Sequence, residues 1–174
     1  TTCRGCLLTG KVESQTHILS QCGATYGDRT RRHNKVVNIL DNAARQKGHR
    51  TLMEPHFPAT ETHGALRPDL LITANDTTYI GEVTGPYENN DCMKSAAQTK
   101  INKYQPILDA VAIKTGANNA VIKPFIITCR GGWDKNNEPL LQSIGVGKTY
   151  IRRSVIEQIL ISNAFIHRNF MRNF

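Results

Sequence analysis

Asp69 and Glu82 stand with twelve residues between them, each inside a run of strand-forming residues. Arg67-Pro68-Asp69 opens the apolar run Leu70 to Thr73, and Thr77 to Thr84 carries Glu82. The turn-forming stretch Ala74-Asn75-Asp76 between them predicts an antiparallel hairpin. Positions near the open end of a hairpin meet across it, so Asp69 and Glu82 are expected to face each other. Alternation along the second strand puts Ile80, Glu82 and Thr84 on one side. An acid sharing a side with Ile80 is costly to bury unless it is paired or bound to a cation. Two carboxylates converging with a backbone carbonyl make a hard oxygen site suited to Mg²⁺ or Mn²⁺. Such an ion can bind a phosphate oxygen and lower the pKa of an attacking water. For two isolated acids, ion pairing with an arginine or plain solvation at a strand edge is the more common explanation.

A lysine shifts the balance toward chemistry. On a helix at about 100° per residue, Met93, Ala97, Ile101, Leu108 and Val111 fall within about 60° of Tyr104. Lys100 lies about 40° from the centre of that apolar arc, whereas Lys94 and Lys103 fall outside it, at about 80° and 100° on opposite sides. A lysine in such a stripe needs a carboxylate or phosphate to meet, or it snorkels with its stem on the sheet. A helix that follows the Glu82 strand directly can return its first turns across that strand's end, so Lys100 can reach the same cleft. Gln98 and Tyr104 are further candidates on that helix. Glu54, just before Pro55, is a candidate third carboxylate, with a solvated strand-end acid as the alternative.

A second constellation lies at the start. Cys3, Cys6, His17 and Cys22 read C-x2-C-x10-H-x4-C. Zinc takes four thiolate or imidazole ligands in a tetrahedron, and four protein ligands make a closed, structural site. A turn helped by Gly5 can present the first pair, and a helical turn through Glu13 to Leu19 the second, with Ile18 and Leu19 packing on the remainder. Three unrelated buried thiols and a core histidine are the alternative. Zinc would supply much of the folding free energy of a segment too short to build its own core. Cys92 and Cys129 read as ordinary buried thiols. An odd count of five cysteines argues against a disulfide framework and for an intracellular setting.

The 174-residue chain carries 22 Lys and Arg against 14 acids, a net charge of +8. That balance points to a polyanionic partner, either nucleic acid or an anionic membrane surface. No apolar run approaches the roughly 20 residues of a membrane span. The basic residues spread along predicted helices, as in Arg29, Arg31, Arg32 and Lys35, and do not form a tail. The chain opens in mid-motif without an initiator Met, as expected of a fragment of something longer.

The elements that must hold these groups follow from periodicity. Asp28 or Thr30 caps a helix with Val36, Val37, Ile39, Leu40, Ala43 and Ala44 on one face, running to about Lys47 before Gly48. Residues 50–57 form a strand, 58–65 a loop, and the hairpin follows. Gly85-Pro86 breaks its second strand. A long helix spans 91–115, bent near Pro106. A β-rich run from Ala120 to Cys129 ends at Gly131-Gly132, then come a short helix at 137–144 and a last helix from Lys148. The order implies a mixed sheet with helices on both sides.

Taken together, the finger, Arg32-His33-Asn34, Arg67-Pro68-Asp69-Leu70, Gly81-Glu82-Val83-Thr84-Gly85-Pro86-Tyr87-Glu88, Lys100 and Lys103-Tyr104 resemble the restriction-like endonuclease of site-specific non-LTR retrotransposons and its preceding CCHC finger. The resemblance covers residues 3 to 104. It implies an α/β restriction-endonuclease-like (PD-(D/E)xK) mixed sheet flanked by helices, with a small N-terminal zinc finger at 1–27 and the nuclease domain at 28–174. It further implies nicking of target DNA to prime reverse transcription, a reverse transcriptase in the same parent chain, contact with DNA and also RNA, no membrane, and a nuclear location. Asp69 and Glu82 would bind catalytic Mg²⁺ or Mn²⁺, and zinc would be structural. The superfamily pattern wants its lysine two residues after the second acid, where this chain has Thr84. The group it resembles moves that lysine onto the next helix, which suits Lys100 and leaves Lys103 and Lys94 as alternatives. Arg32 and His33 are either exposed polar residues or contacts to a phosphate or the metal surroundings. A nuclease-like module that binds nucleic acid without cutting it, and a zinc-stabilised protein-interaction domain, are the competing readings.

Overall fold

Alternating helix and strand signals resolve into a three-layer arrangement in the computed structural model, which describes residues 2–6, 10–87 and 91–174. The elements are α1 (Gln15–Ser20), α2 (Tyr26–Gln46), β1 (Arg50–Met53), β2 (Leu70–Ala74), β3 (Thr77–Thr84), α3 (Cys92–Tyr104), α4 (Leu108–Thr115), β4 (Asn119–Ile126), α5 (Asn137–Ser143) and α6 (Lys148–Asn173). The sheet order is β1-β2-β3-β4. The first two pairings are antiparallel and β3–β4 is parallel, so the sheet is mixed.

The hairpin forms as its turn chemistry dictates. Asn75 and Asp76 both take positive φ, 47° and 59°, and a two-residue turn of that hand matches the twist of the flanking strands. It fixes the register Ala74↔Thr77 through Leu70↔Gly81. Parallel β4 needs a crossover, which α3, a 3-10 turn at Gln105–Ile107 and α4 supply. The helix expected over 91–115 with a bend near Pro106 is therefore two helices, broken at that point. Pro106, within that 3-10 turn, cannot donate the backbone hydrogen bond that continuity requires.

Each sheet face is buried under its own helices. Leu70, Ile72, Val83, Phe125 and Ile127 pack with α2, α5 and α6. Leu71 and Ile80 pack with Phe57, Tyr104, Ile107 and Val111 on the opposite face. Val36, Val37, Leu40, Ala43 and Ala44 are the buried stripe of α2. That helix begins at Tyr26 without a side-chain cap, two residues before the expected Asp28, which sits in its first turn.

Strand β1 is shorter than the expected 50–57. It stops at Met53 because Glu54 turns to φ 46° and Pro55 follows, and Phe57 makes only an isolated bridge to Leu66. The β4 run likewise stops at Ile126, with Ile127 bridged to Trp133. Cys129 is buried as expected, whereas Cys92, at the start of α3, is only half-buried.

The N-terminal segment docks on the far end of α6. Ile18, Leu19, Cys3 and Cys22 share a core cluster with Ile166 and Phe170. Gly5 is required there, since a Cβ would lie 2.5 Å from the Phe170 ring. Arg4 donates to both oxygens of Glu13 and to the carbonyl of Phe174.

Arg32, left between exposure and a phosphate contact by the sequence, is buried. Its guanidinium donates to Asn163 Oδ1 of α6 at 2.6 Å and to the Leu19 carbonyl at 3.1 Å. Burial lowers its pKa. Arg32 thus ties α1, α2 and α6 together. Arg32→Met keeps the packing but strands both acceptors. It should cost about 1–3 kcal/mol, read as a lower urea midpoint with unchanged zinc content.

Candidate active site and metal cluster

The hairpin register, continued one pair past Leu70↔Gly81, sets Asp69 opposite Glu82. The two acids take over the hydrogen bonding at this end. The Asp69 backbone N–H donates to Glu82 Oε2 at 3.1 Å, and the Val83 N–H donates to Asp69 Oδ2 at 2.9 Å. On the other side the Glu54 N–H donates to the Asp69 carbonyl at 3.0 Å. Both carboxylates are therefore fixed by backbone.

Glu82 is 2% exposed and lies on the α3 side of the sheet, as the alternation with Ile80 requires. Lys100 Nζ donates to Glu82 Oε1 at 2.7 Å, and Tyr104 Oη lies 3.0 Å from the same oxygen. Lys100 and Tyr104 are one helical turn apart, so α3 presents both to one acid. Burial first, then the charge and hydrogen bond of Glu82, raise the Tyr104 phenol far above its ordinary pKa. It stays protonated and acts as a donor. Lys103 donates to the Tyr104 oxygen at 2.8 Å and lies over the ring, 4.6 Å from its centroid. Lys94 is exposed on the outer side of the helix start. Of the three candidate lysines, Lys100 is the one that meets the acid. Tyr104→Phe removes a buried donor to a charged acceptor. It should cost about 1.5–3 kcal/mol of stability, measured by chemical denaturation.

His33 Nε2 lies 3.2 Å from Asp69 Oδ1, so α2 supplies a third wall. A cleft of about 180 Å³ opens here, lined among others by His33, Asn34, Glu54 and Asp69. The Glu54 side chain is 51% exposed and pairs with Arg67 at 2.5 Å. It borders the cleft but is already committed to a cation. The backbone donors that lock the acids, and the Arg67 carbonyl 3.1 Å from Tyr104 Oη, had no sequence signal. Glu88, the last residue of the Gly81–Glu88 motif, lies outside the described residues.

A carboxylate offers about four lone-pair sites. Glu82 spends two on Lys100 and Tyr104 and one on the Asp69 N–H, leaving one on Oε2. Asp69 spends one on the Val83 N–H and faces His33 with the other oxygen. Among the described residues each acid therefore keeps a free lone pair, and the donor set is hard oxygen, as Mg²⁺ or Mn²⁺ prefers.

The N-terminal cluster is more complete. The ligand atoms of Cys3, Cys6, His17 and Cys22 all lie within 4.8 Å of one another. Cys3 Sγ is 3.7 Å from Cys22 Sγ, and Cys6 Sγ is 3.2 Å from His17 Nε2. Tetrahedral zinc with its usual bond lengths separates two sulfurs by about 3.8 Å and a sulfur from a nitrogen by about 3.6 Å. The residues fit that ion. Ser14 caps α1 by accepting from the His17 N–H and so fixes where the imidazole emerges. Burial pushes both thiols up. Backbone N–H groups of Cys6 and Gly5 more than offset this at Cys3, whose pKa is lowered, while Cys22 stays raised at about 11.

No family model matches the chain. It is similar to retrovirus-related Pol polyproteins of the retrotransposable element R2. One from Popillia japonica is 29% identical over 174 residues, 98% of this chain and 35% of that protein. A second from Popillia japonica is 31% identical over 165 residues, 92% of this chain and 27% of the relative. A Pol polyprotein of the type-2 element R2DM of Drosophila melanogaster is 24% identical over 166 residues, 91% of this chain and 15% of the relative. The chain thus spans about a third or less of the length of these curated relatives. Among the described residues no helix is long and apolar enough to cross a membrane.

Proposed function

We propose that this homologue of R2 non-LTR retrotransposon Pol polyproteins is a metal-dependent DNA endonuclease of the PD-(D/E)xK, restriction-like kind. In this reading it nicks target DNA so that a reverse transcriptase of the same parent polyprotein can prime on the cut end. It works in the nucleus on DNA, with RNA as a second nucleic-acid partner. The observation that carries the proposal is the Lys100–Glu82 contact at 2.7 Å, beside Asp69 on the hairpin.

Glu82 and Asp69 would hold Mg²⁺ or Mn²⁺ through their remaining lone pairs. The ion would supply Lewis-acid stabilisation of the phosphate and a more acidic water. Lys100, held 2.7 Å from Glu82, would bring a positive charge beside the acids, where it neutralises charge developing on the scissile phosphate. Tyr104, held protonated, and the Asp69 N–H keep the Glu82 carboxylate in one orientation. His33 does the same for Asp69 Oδ1 and is placed to carry a proton at the cleft's other wall. The net charge of +8 draws the polyanion in. The Cys3–Cys6–His17–Cys22 cluster would hold structural zinc.

A second reading has its own observation. Lys100 and Tyr104 together occupy Glu82 Oε1, as a purely structural ion pair and its hydrogen bond would, so a nucleic-acid-binding module that does not cut is the competitor. Incubating the chain with supercoiled plasmid and Mg²⁺ or Mn²⁺, beside Asp69→Ala, separates the two. The nuclease reading predicts nicking by the native chain and loss of at least about 10³-fold in the variant. Equal nicking by both, or plasmid retention without nicking by either, would reject it.

A further inference from the structure

Beside the Asp69 cleft runs a second groove of about 350 Å³, and the two share His33, Asn34 and Glu54. It opens at the carboxyl ends of the parallel strands β3 and β4, past which Val83, Gly85 and Ile127 line it, and the first half of α2 forms its wall. The crevice outside the carboxyl ends of parallel strands is where open α/β sheets commonly take ligands. Gly85 lets the chain pass close to the end of β4, since a Cβ there would lie 3.2 Å from the Ile127 carbonyl. The volume falls within the roughly 300–1,000 Å³ of small-ligand sites.

An aromatic ring stands in the lining. Tyr26, the first residue of α2, is 67% exposed. Its ring lies 5.7 Å from the Arg29 guanidinium. Arg29 is itself anchored, donating to the carbonyls of Ser20 and Cys22, so it supports the ring from a fixed position. A large aromatic held this way yet left open to solvent serves as a platform more than as core. Asn34, exposed on α2, adds a carboxamide with a donor and an acceptor on the side shared with the acids. Apolar walls, a stacking face and an amide matched to a polar edge are the complement of a nucleobase.

We infer that this groove takes one unpaired nucleotide of the DNA strand being cut, with its base stacked on Tyr26 and its backbone continuing into the Asp69 cleft. The inference rests on the nuclease reading for the identity of the strand. It adds a binding subsite that neither the acids nor the lysine supply, and it places strand distortion next to the point of cleavage.

The test uses the full zinc-loaded chain and a short single-stranded oligonucleotide carrying 2-aminopurine, with Ca²⁺ as the divalent ion. Plasmid nicking in Mg²⁺ is followed separately. The native chain should quench the probe on binding. Tyr26→Ala should weaken that binding by about 5- to 100-fold, and Tyr26→Phe should retain it. The exposed position makes misfolding of either variant improbable, and zinc content and melting temperature serve as the check. Asp69→Ala should stop nicking and keep the quench. Unchanged binding and quench in Tyr26→Ala would overturn the subsite even if the chain nicks plasmid. A Tyr26-dependent quench in a chain that never nicks would sink the nuclease reading and leave the subsite standing. Competition of the quench by free deoxynucleoside monophosphate as strong as by the oligonucleotide would assign the groove to a free nucleotide and overturn the strand assignment.

Discussion

With zinc held by Cys3, Cys6, His17 and Cys22 as proposed, stripping it is expected to undo far more than residues 1–27. Structural zinc supplies about 10–16 kcal/mol in finger peptides near neutral pH, comparable with the whole stability of an ordinary domain, about 5–15 kcal/mol. The reach of the effect follows from the contacts. Cys3 and Cys22 sit in one cluster with Ile18, Leu19, Ile166 and Phe170. Loss of the tetrahedron exposes the last turns of α6 together with α1. Arg32 then loses the Leu19 carbonyl while still buried against Asn163. The next residue on α2 is His33, which faces Asp69, so the disturbance reaches the acid cleft. Native protein should contain one zinc per chain. Chelation, or Cys22→Ser, should lower the melting temperature sharply and release hydrogen-exchange protection in α1 and the second half of α6. A folded protein with no zinc, or chelation that leaves α6 protected, would reject this account of the cluster.

The second large effect concerns Lys100. Its ammonium is 2.7 Å from a carboxylate that is almost fully buried. Lys100→Ala leaves Glu82 with the Tyr104 hydroxyl and the Asp69 N–H but removes the cation in direct contact with it. Removing one well-placed charge-stabilising donor commonly lowers a hydrolytic rate by about 10²–10³-fold, and that is the expected loss of plasmid nicking. Lys103→Ala, which touches Glu82 only through Tyr104, should fall between Lys100→Ala and the native chain. Lys94→Ala should nick as the native chain does. An unaffected rate in Lys100→Ala together with a collapse in Lys103→Ala would move the lysine role by three residues.

The residues differ in how openly they announced their places. Ala74-Asn75-Asp76 announced a hairpin and so the approach of Asp69 and Glu82 near its open end, but the exact register, set by the two-residue turn Asn75-Asp76, came from the structure. Lys100 was legible as a charge inside an apolar arc. That arc is only half-buried apart from Tyr104 and Val111, because α3 packs chiefly against the edge strand β4. The four-ligand cluster was legible from spacing alone. Arg32 was not, because nothing local to α2 foretells that Leu19 and Asn163, 13 residues before and 131 after it, converge on one guanidinium. The shortening of β1 depended on the positive φ of Glu54, which an acidic residue does not announce. The role of Tyr26 needed the groove. An exposed tyrosine at a helix start carries no meaning until β3, β4 and α6 are placed against it.

A single divalent-cation site formed by Asp69 and Glu82 can be tested without knowing the DNA target. Zinc-loaded protein is titrated with Mn²⁺ and the free ion is followed by paramagnetic resonance, for the native chain, Asp69→Asn and Glu82→Gln. The native chain should bind one Mn²⁺ at this site, displaceable by Mg²⁺, and both variants should lose it while zinc content stays at one. Equal Mn²⁺ binding by the native chain and Asp69→Asn, or none by a correctly folded native chain, would contradict it.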